Sequence, residues 1–96
     1  RKLFKKLNLT MKDIELIELN EAFSVQALAC MRELGVDQAK CNLFGGGVSL
    51  GHPIGCTGAR ITYSLALQMK RNNLKLGLAS LCIGGGMGMS LVLERA

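Results

Sequence analysis

Residues 42–60 read Asn-Leu-Phe-Gly-Gly-Gly-Val-Ser-Leu-Gly-His-Pro-Ile-Gly-Cys-Thr-Gly-Ala-Arg, and the rest of the chain is arranged around them. They contain the single histidine, His52, the single proline, Pro53, and six of the twelve glycines. Proline fits the first turn of a helix, because its missing N–H would be unpaired there in any case. The pattern therefore predicts that His52 lies where a glycine loop enters a helix, beside unpaired N–H groups and a positive dipole end. Such a position favours an electrophilic or acid/base role for the imidazole.

Helices and strands alternate on the N-terminal side of this loop. Apolar spacing predicts four elements there: a helix over residues 1–8, a strand over 14–19, a helix over 21–34 and a short strand over 41–44. Asn20 opens the second helix and Gly35 closes it. Between the first helix and the first strand, Thr10 and Asp13 form a T-x-x-D pattern that predicts a capped turn.

The alternation continues on the C-terminal side of the loop. The sequence predicts a helix from Pro53 to about Arg71, a buried strand over 76–82, a glycine break and a last strand over 87–94. The buried stripe of this helix is expected to contain Ile54, Gly58, Ile61, Leu65 and Met69, with Gly58 allowing a close backbone approach. The order α-β-α-β-α-β-β predicts an α/β fold with a mixed sheet, largely parallel, whose last pair is antiparallel.

Composition narrows the class of protein. Ninety-six residues with 49% hydrophobic and 4% aromatic content suit one small domain with an aliphatic core. The net charge of +5 comes mainly from Arg1, Lys2, Lys5 and Lys6. These side chains form either a solvated helix face or a surface that attracts a phosphate-bearing ligand or an acidic partner. No aromatic residues alternate with them, so we expect no nucleic-acid partner.

The four cysteines and the hydropathy pattern bear on metal binding and location. Cys30, Cys41, Cys56 and Cys82 form no C-x-x-C pair, so we expect no metal site and free thiols in a reducing compartment. The sequence shows no signal peptide and no apolar run as long as a membrane span. We therefore expect no membrane partner and a cytoplasmic location, with an organelle matrix as the alternative.

Three residues at or just after the ends of strands have side chains that can take part in catalysis. Asn20 follows the first strand, His52 follows the second, and Cys82 ends the third. Because the carboxyl ends of parallel strands meet at one edge of a sheet, an amide, an imidazole and a thiol are expected to converge there. Each side chain also has a purely structural interpretation. Asn20 could be a helix N-cap, His52 could cap the loop or form its hydrogen bonds, and Cys82 could be a small buried hydrophobe.

Neither glycine loop fits a nucleotide-phosphate motif. Gly46 and Gly51 have the Walker spacing, but His52 and Pro53 stand where lysine and serine or threonine are required. The glycines at 84, 86 and 88 do not complete G-x-G-x-x-G either. A different chemistry is therefore expected at this edge of the sheet.

Three segments resemble the thiolase family in content, order and spacing. They are Asn-Glu-Ala-Phe at 20–23, Gly-Gly-Gly-Val-Ser-Leu-Gly-His-Pro-Ile-Gly-Cys-Thr-Gly at 45–58, and Gly-Leu-Ala-Ser-Leu-Cys-Ile-Gly-Gly-Gly-Met-Gly at 77–88. The resemblance covers essentially all 96 residues and about the last quarter of a thiolase subunit. It implies that residues 1–96 are part of a C-terminal domain. In this family each half of the subunit has a five-stranded mixed sheet. The resemblance then implies that the N-terminal half and the first part of the C-terminal half lie outside this chain.

The resemblance also implies an activity, a type of substrate and a set of site residues. Thiolases transfer acyl groups between coenzyme A and a cysteine, in Claisen condensation or in thiolysis. These reactions belong to fatty acid and ketone metabolism. Cys82 resembles the cysteine that removes the α-proton of acetyl-CoA, and His52 the histidine that activates the nucleophilic cysteine. Asn20 matches the asparagine that holds a water, and the Gly84 N–H matches an oxyanion donor. Coenzyme A thioesters are then substrates, with no cofactor bound permanently.

The same resemblance suggests partners and leaves other functions open. The expected partners are acyl-CoA substrates, the remainder of the thiolase subunit and further copies in a homodimer or homotetramer. The nucleophilic cysteine belongs to the other half of the subunit, so this chain alone is expected to be inactive in thiolysis. One alternative is a non-catalytic acyl-CoA-binding or subunit-assembly fragment. A ketosynthase-type condensing enzyme would have a second histidine at the position of Cys82.

Overall fold

The computed structural model describes all 96 residues as an α/β fold. Its helices and strands, in chain order, are α1 (Lys2–Leu7), β1 (Leu16–Leu19), α2 (Ser24–Leu34), α3 (Gly47–Leu50), α4 (Thr57–Arg71), β2 (Leu76–Gly84) and β3 (Met87–Glu94). The predicted T-x-x-D turn is present as a 3₁₀ turn with a capping box between Thr10 and Asp13. No helix combines the length and hydrophobicity needed to cross a membrane.

The three strands form one mixed sheet in the order β1-β2-β3. β1 pairs with β2 in parallel, from Leu16 opposite Gly77 to Leu19 opposite Ser80. β2 pairs with β3 in antiparallel fashion, starting from Leu76 opposite Glu94. The predicted mixed sheet with an antiparallel last pair is therefore confirmed.

The predicted strand over 41–44 does not form, so the predicted element order is wrong at this point. Only Cys41 makes a parallel bridge, opposite Ile17. The next residue, Asn42, has a left-handed φ of 52°, which turns the chain away from the sheet. Its side chain replaces the lost backbone pairing: Oδ1 accepts the Leu19 N–H at 2.8 Å, and Nδ2 donates to the Leu19 carbonyl at 2.8 Å.

Two helices begin later than the sequence predicts, and α3 was not predicted at all. α2 begins at Ser24 because Phe23 is extended, with φ −138° and ψ 141°. α4 begins at Thr57 rather than Pro53, although the Pro53 carbonyl accepts the Thr57 N–H at 2.9 Å. Gly35 ends α2 in the left-handed conformation, as predicted.

Buried apolar side chains form one cluster on each face of the sheet, and α4 covers one of these faces. Ile61, Leu65 and Met69 of the predicted stripe are buried against Leu16 and Ala79, whereas Ile54, which precedes α4, is 86% exposed.

The predicted close approach at Gly58 is wrong. A Cβ at Gly58 would meet only Leu81 Cδ1, at 4.0 Å, whereas a Cβ at Gly77 would lie 2.8 Å from Leu65 Cδ1. The glycine that lets α4 pack closely is therefore in β2. Packing of α4 on this face sets the position of its N-terminal end relative to the end of β1.

Candidate active site

The carboxyl ends of β1 and β2 lie side by side, and each leads into a residue of interest. Asn20 follows β1, and its N–H donates to the Ser80 carbonyl of β2 at 2.8 Å. Cys82 lies two residues further along β2. The parallel register therefore places Asn20 and Cys82 at the same edge of the sheet, where ligands of open α/β sheets bind.

His52 lies between two side chains at this edge. Its Nδ1 is 2.7 Å from Thr57 Oγ1. The Asn20 Nδ2 is 3.5 Å from Nδ1 and 3.4 Å from Nε2. Asn20 and Thr57 are fully buried, whereas His52 is half-buried. The fixed neighbours of the imidazole therefore belong to the end of β1 and the first turn of α4.

The hydrogen bonds assign the proton of a neutral His52 ring. Thr57 Oγ1 lies 3.0 Å from the Pro53 carbonyl, to which its hydroxyl donates. Thr57 then accepts from His52 Nδ1–H. The Asn20 Nδ2 is almost equidistant from the two ring nitrogens and does not distinguish the tautomers. In the opposite tautomer, an unprotonated Nδ1 would face Thr57 Oγ1, whose hydroxyl proton already goes to Pro53, which leaves two acceptors facing each other. We therefore assign the proton to Nδ1, which leaves Nε2 as the basic nitrogen.

Asn20 is not the N-cap of α2. That cap position belongs to Phe23, and no side chain caps the helix there. The Asn20 side chain instead reaches His52, while its Oδ1 is buried and accepts no hydrogen bond from the chain. A buried oxygen with free lone pairs can accept a hydrogen bond from a water or a substrate. The structural interpretation of Asn20 as a helix cap is therefore wrong.

Cys82 and Gly84 lie in an exposed part of β2. Cys82 is exposed, so its interpretation as a buried hydrophobe is wrong. The register of β2 and β3 shifts between Cys82 and Gly84, and Gly84 has a φ of 91°. Gly85 and Gly86 follow with φ values of 59° and 72°, as a tight hairpin turn requires. No hydrogen bond joins the Cys82 side chain to His52 or Asn20, so only His52 and Asn20 are in direct contact.

Three residues that hold this arrangement were not assigned a role from the sequence. Thr57 binds His52, Asn42 binds the end of β1, and Glu21 binds the glycine loop. Thr57 was detectable as a hydroxyl at helical spacing after Pro53, and Glu21 as the neighbour of Asn20. Asn42 had no signal, because nothing in the sequence shows that its side chain replaces a strand.

A buried carboxyl lies on β1 next to this edge. Glu18 is two residues before Asn20, is 1% exposed and accepts a hydrogen bond from Gln68 Nε2 at 2.7 Å. Burial raises the pKa of Glu18, although the Gln68 hydrogen bond and the charge of Arg60 oppose this shift. The Arg60 Nε and Nη2 atoms are themselves buried without an acceptor. Glu18 and Gln68 therefore form a buried polar pair beside the apolar core under α4.

The titratable side chains do not form a metal centre. No three His, Cys, Asp or Glu side chains are grouped closely enough to hold a metal ion. The thiol of Cys82, the imidazole of His52 and the amide of Asn20 instead offer a base, a proton carrier and hydrogen-bonding groups. Such a set suits proton transfer and acyl chemistry.

Comparison with known proteins agrees with the motifs. The sequence profile described as "Thiolase, C-terminal domain" matches residues 1–95. The chain belongs to the thiolase family. The predicted family resemblance is thereby confirmed, and the mixed α/β fold agrees with it.

Individual relatives show how much of a thiolase the chain covers. It is 52% identical to a 3-ketoacyl-CoA thiolase of Bacillus subtilis over 90 residues, which are 94% of this chain and 23% of that protein. It is 54% identical to an acetyl-CoA acetyltransferase of Cupriavidus necator over 86 residues, 90% of this chain and 22% of that protein. The crystal structure of the Bacillus anthracis acetyl-CoA acetyltransferase matches with a TM-score of 0.92 and 53% identity. The match covers 95% of this chain and 23% of that one.

The chain thus spans less than a quarter of the length of these thiolases. Their names include both a 3-ketoacyl-CoA thiolase and acetyl-CoA acetyltransferases, so the match fixes the family rather than one substrate. The individual roles of Asn20, His52, Cys82 and Gly84 stay predictions. So do the absence of a permanently bound cofactor and the homodimer or homotetramer.

Proposed function

We propose that this chain supplies the C-terminal part of a thiolase active site. The reaction is acyl transfer between coenzyme A and an enzyme cysteine, with condensation of acetyl-CoA or thiolysis of 3-ketoacyl-CoA. The observation that carries the proposal is the contact between His52 and Asn20, at the sheet edge where Cys82 lies near the end of β2. Coenzyme A thioesters are substrates in this proposal, and no permanently bound cofactor takes part.

His52 acts on the nucleophilic cysteine and on the thioester oxygen. With one proton on Nδ1, the Nε2 lone pair takes the proton of the nucleophilic thiol. The thiolate attacks the acyl carbonyl carbon, the thioester C–S bond breaks, and coenzyme A leaves with the proton of the Cys82 thiol, which makes Cys82 a thiolate. The proton then held on Nε2 is donated as a hydrogen bond to the oxygen of the second thioester. Thr57 keeps the ring in the tautomer and orientation that this sequence of steps needs.

Cys82 acts as the base and acid at the α-carbon. Its thiolate removes an α-proton of acetyl-CoA, and the electron pair of the C–H bond moves into the carbonyl to give an enolate. The enolate carbon attacks the acyl-enzyme carbonyl, a carbon–carbon bond forms and the nucleophilic cysteine leaves as a thiolate. Positioned bases of this kind contribute about 10²–10⁴-fold to the rate. Exposure of Cys82 supports this role, because the α-carbon must reach the sulfur.

Two oxygens that become negative need hydrogen-bond donors. His52 donates a hydrogen bond directly to the enolate oxygen. The free Oδ1 of Asn20 accepts one proton of a water, and the second proton of that water is donated to the enolate oxygen. Beside the tetrahedral intermediate, the Gly84 N–H donates from the irregular end of β2. Removing one such donor costs roughly 2.7–4 kcal/mol of transition-state stabilisation.

The nucleophilic cysteine lies in a part of the thiolase subunit other than these 96 residues. We therefore propose that the chain by itself does not catalyse thiolysis, and that it works with the remainder of a subunit. Acetoacetyl-CoA cleavage by the isolated 96 residues would contradict this part of the proposal.

The assignment of Cys82 is tested by separating proton transfer from acyl transfer. In the intact protein from its own gene, Cys82→Ala should lower both acetoacetyl-CoA thiolysis and exchange of the acetyl-CoA α-hydrogens in deuterium oxide by at least about 10²-fold. His52→Gln should lower thiolysis by a similar factor. Cys56→Ala is the matched control, because Cys56 is an exposed thiol outside the proposed roles.

Wild-type exchange rates in Cys82→Ala would remove Cys82 from the mechanism. Equal losses in Cys56→Ala and Cys82→Ala would show that the site has been assigned to the wrong thiol.

A second candidate function is subunit assembly or acyl-CoA binding without catalysis. Large apolar side chains near the site are exposed, including Phe23 at 72%, Val25 at 73% and Ile54 at 86%, which favours contact with another surface. The intact mass of the protein from its natural source separates the two candidates. A mass about four times the 10.3 kDa of these residues supports the catalytic subunit, and 10.3 kDa supports the assembly or binding role.

A further inference from the structure

The Glu21 side chain joins two parts of the glycine loop. One carboxylate oxygen accepts a hydrogen bond from Asn42 Nδ2 at 3.0 Å, and the other accepts the Val48 backbone N–H at 3.0 Å. Asn42 begins the turn out of the sheet, and Val48 lies in the first turn of α3. Both oxygens of one carboxylate therefore hold the start of the loop and the short helix that precedes His52.

The glycines of the loop are fitted to Glu21. A Cβ at Gly46 would overlap the Glu21 carboxyl group, and a Cβ at Gly47 would lie 2.6 Å from the Glu21 carbonyl oxygen. Gly46 has a φ of −121°, which any residue can adopt, so backbone conformation does not demand glycine there. The absence of a side chain at these positions is explained by the close packing of the loop on Glu21.

The loop and the end of β1 are thereby joined as one unit. Asn42 binds both backbone groups of Leu19 and also Glu21, so its amide connects the residues on either side of Asn20. The same loop leads to His52, whose ring contacts the Asn20 amide. Glu21 therefore joins the segment that carries Asn20 to the loop that leads to His52.

We infer that Glu21 is a positioning residue that fixes His52 relative to Asn20. It touches neither substrate nor reacting atoms in the proposed mechanism and acts through the glycine loop. The inference rests on the proposed function for its kinetic consequence, but its structural consequence can be measured separately. A carboxylate is required because both partners are N–H donors, and glutamine would turn its own NH₂ group towards one of them.

Glu21→Gln in the intact protein is the first test, because it keeps the size of the side chain. We expect kcat for acetoacetyl-CoA thiolysis to fall roughly 10-fold to 100-fold with KM within about twofold, since a small misplacement of His52 affects the chemical steps. Glu33→Gln is the matched control, because Glu33 is an exposed carboxylate paired only with Arg1. Wild-type kcat in Glu21→Gln would overturn the inference, and so would a loss of thermal stability without a loss of kcat.

A double-mutant cycle keeps the inference falsifiable if Glu21→Gln folds poorly. Gly46→Ala alone should lower kcat, because its Cβ collides with the Glu21 carboxyl group. In a Glu21→Ala background that collision is gone, so Gly46→Ala should have at most a twofold further effect. Full additivity of the two substitutions would overturn the inference.

The imidazole NMR signals of His52 provide a readout that does not depend on thiolase activity. They are assigned in the intact protein by their loss in His52→Gln. Glu21→Gln should shift them and Glu33→Gln should not. If the wild-type protein lacks thiolase activity but the signals shift, the positioning role stands and the proposed function fails. If the signals do not move, the positioning role fails.

Discussion

The two sides of the proposed site differ in how firmly this chain holds them. On one side, His52 is bound by Thr57 and Asn20, and the loop before it is fixed by Glu21 and Asn42. On the other side, Cys82 is exposed, and no side chain of the chain forms a hydrogen bond with it. The chain therefore fixes the imidazole with its own side chains, whereas it gives the thiol no hydrogen-bond partner.

This difference matters for the order in which the site is completed. A group fixed within one domain keeps its orientation before substrate arrives, which lowers the cost of reaching the reactive geometry. The α-carbon of a substrate can approach an exposed thiol at a glycine-rich hairpin without displacing packed side chains. Exposed apolar side chains lie on the facing strand β3, such as Met87 at 61% and Met89 at 60%.

Among the changes that probe this difference between the two sides, the largest expected effect comes from removing the hydroxyl that holds His52. Thr57→Val keeps the shape of a buried side chain but leaves His52 Nδ1 without its partner. We expect thiolysis by the intact protein to fall roughly 10-fold to 100-fold in kcat. Thr57→Ser is the matched control and should retain most of the activity. Equal activity of the valine and serine variants would show that the imidazole does not depend on this hydrogen bond.

A stability comparison tests the contrast between the two sides without any assay of activity. Asn20→Ala removes a fully buried amide and should lower the free energy of unfolding by about 1–3 kcal/mol. Cys82→Ala removes a side chain that forms no hydrogen bond within the chain and should alter it by less, at most about 1 kcal/mol. Urea denaturation of the intact protein measures both. Similar losses in the two variants would mean that the sides are held equally.

The packing that anchors β2 predicts a further pair of effects. Gly77→Ala places a Cβ against Leu65 and Met69 of α4 and should destabilise the protein by about 1–3 kcal/mol. Gly58→Ala meets only Leu81 at 4.0 Å and should leave the stability unchanged or raise it by up to about 1 kcal/mol. Thermal unfolding of both variants checks the pair, and a larger loss for Gly58→Ala would reverse the assignment of the close contact.

The smallest expected effect is a change in pH dependence at Glu18. Because burial raises the pKa of Glu18 above its ordinary value of 4.5, the native state binds its proton more tightly than the unfolded chain. The native state therefore holds more protons between the two pKa values, and this group's contribution to stability falls as the pH rises through that window. Glu18→Gln removes the titration.

The stability of Glu18→Gln relative to wild type should therefore increase from pH 4 upwards until the raised pKa is passed. The hydrogen bonds that lower the pKa values of Asp13 and Glu15 are present in both proteins and cancel in the comparison. A stability difference that is constant with pH would show that Glu18 titrates normally.

The sequence predicted the fold best where one local signal acts alone. A buried apolar run located β2, hydrophobic alternation located β3, and Gly35 marked the end of α2. The same reasoning failed at 41–44, because the Asn42 side chain replaces strand pairing through contacts with Leu19 that are 23 residues apart in sequence. It failed again at Gly58 and Gly77, because close packing of a helix on a strand is a tertiary property.

Prediction of the site was limited in the same way. Asn20, His52 and Cys82 were found because their residue types are unusual at the ends of strands and within the family motifs. Their supports, Thr57, Glu21 and Asn42, act through geometry that no local pattern reveals. The sequence therefore indicated the chemical groups, and the structure was needed to show which of them the chain holds in place.

A chimera would show whether these residues complete a thiolase. The segment of the Cupriavidus necator acetyl-CoA acetyltransferase that this chain matches, 22% of that protein at 54% identity, is replaced by this chain. The thiolysis rate of the folded chimera is then measured beside the same chimera with His52→Gln. We predict activity within about 100-fold of the parent enzyme and its loss in His52→Gln. A folded chimera without activity, or one whose activity survives His52→Gln, would contradict the proposed role of this chain.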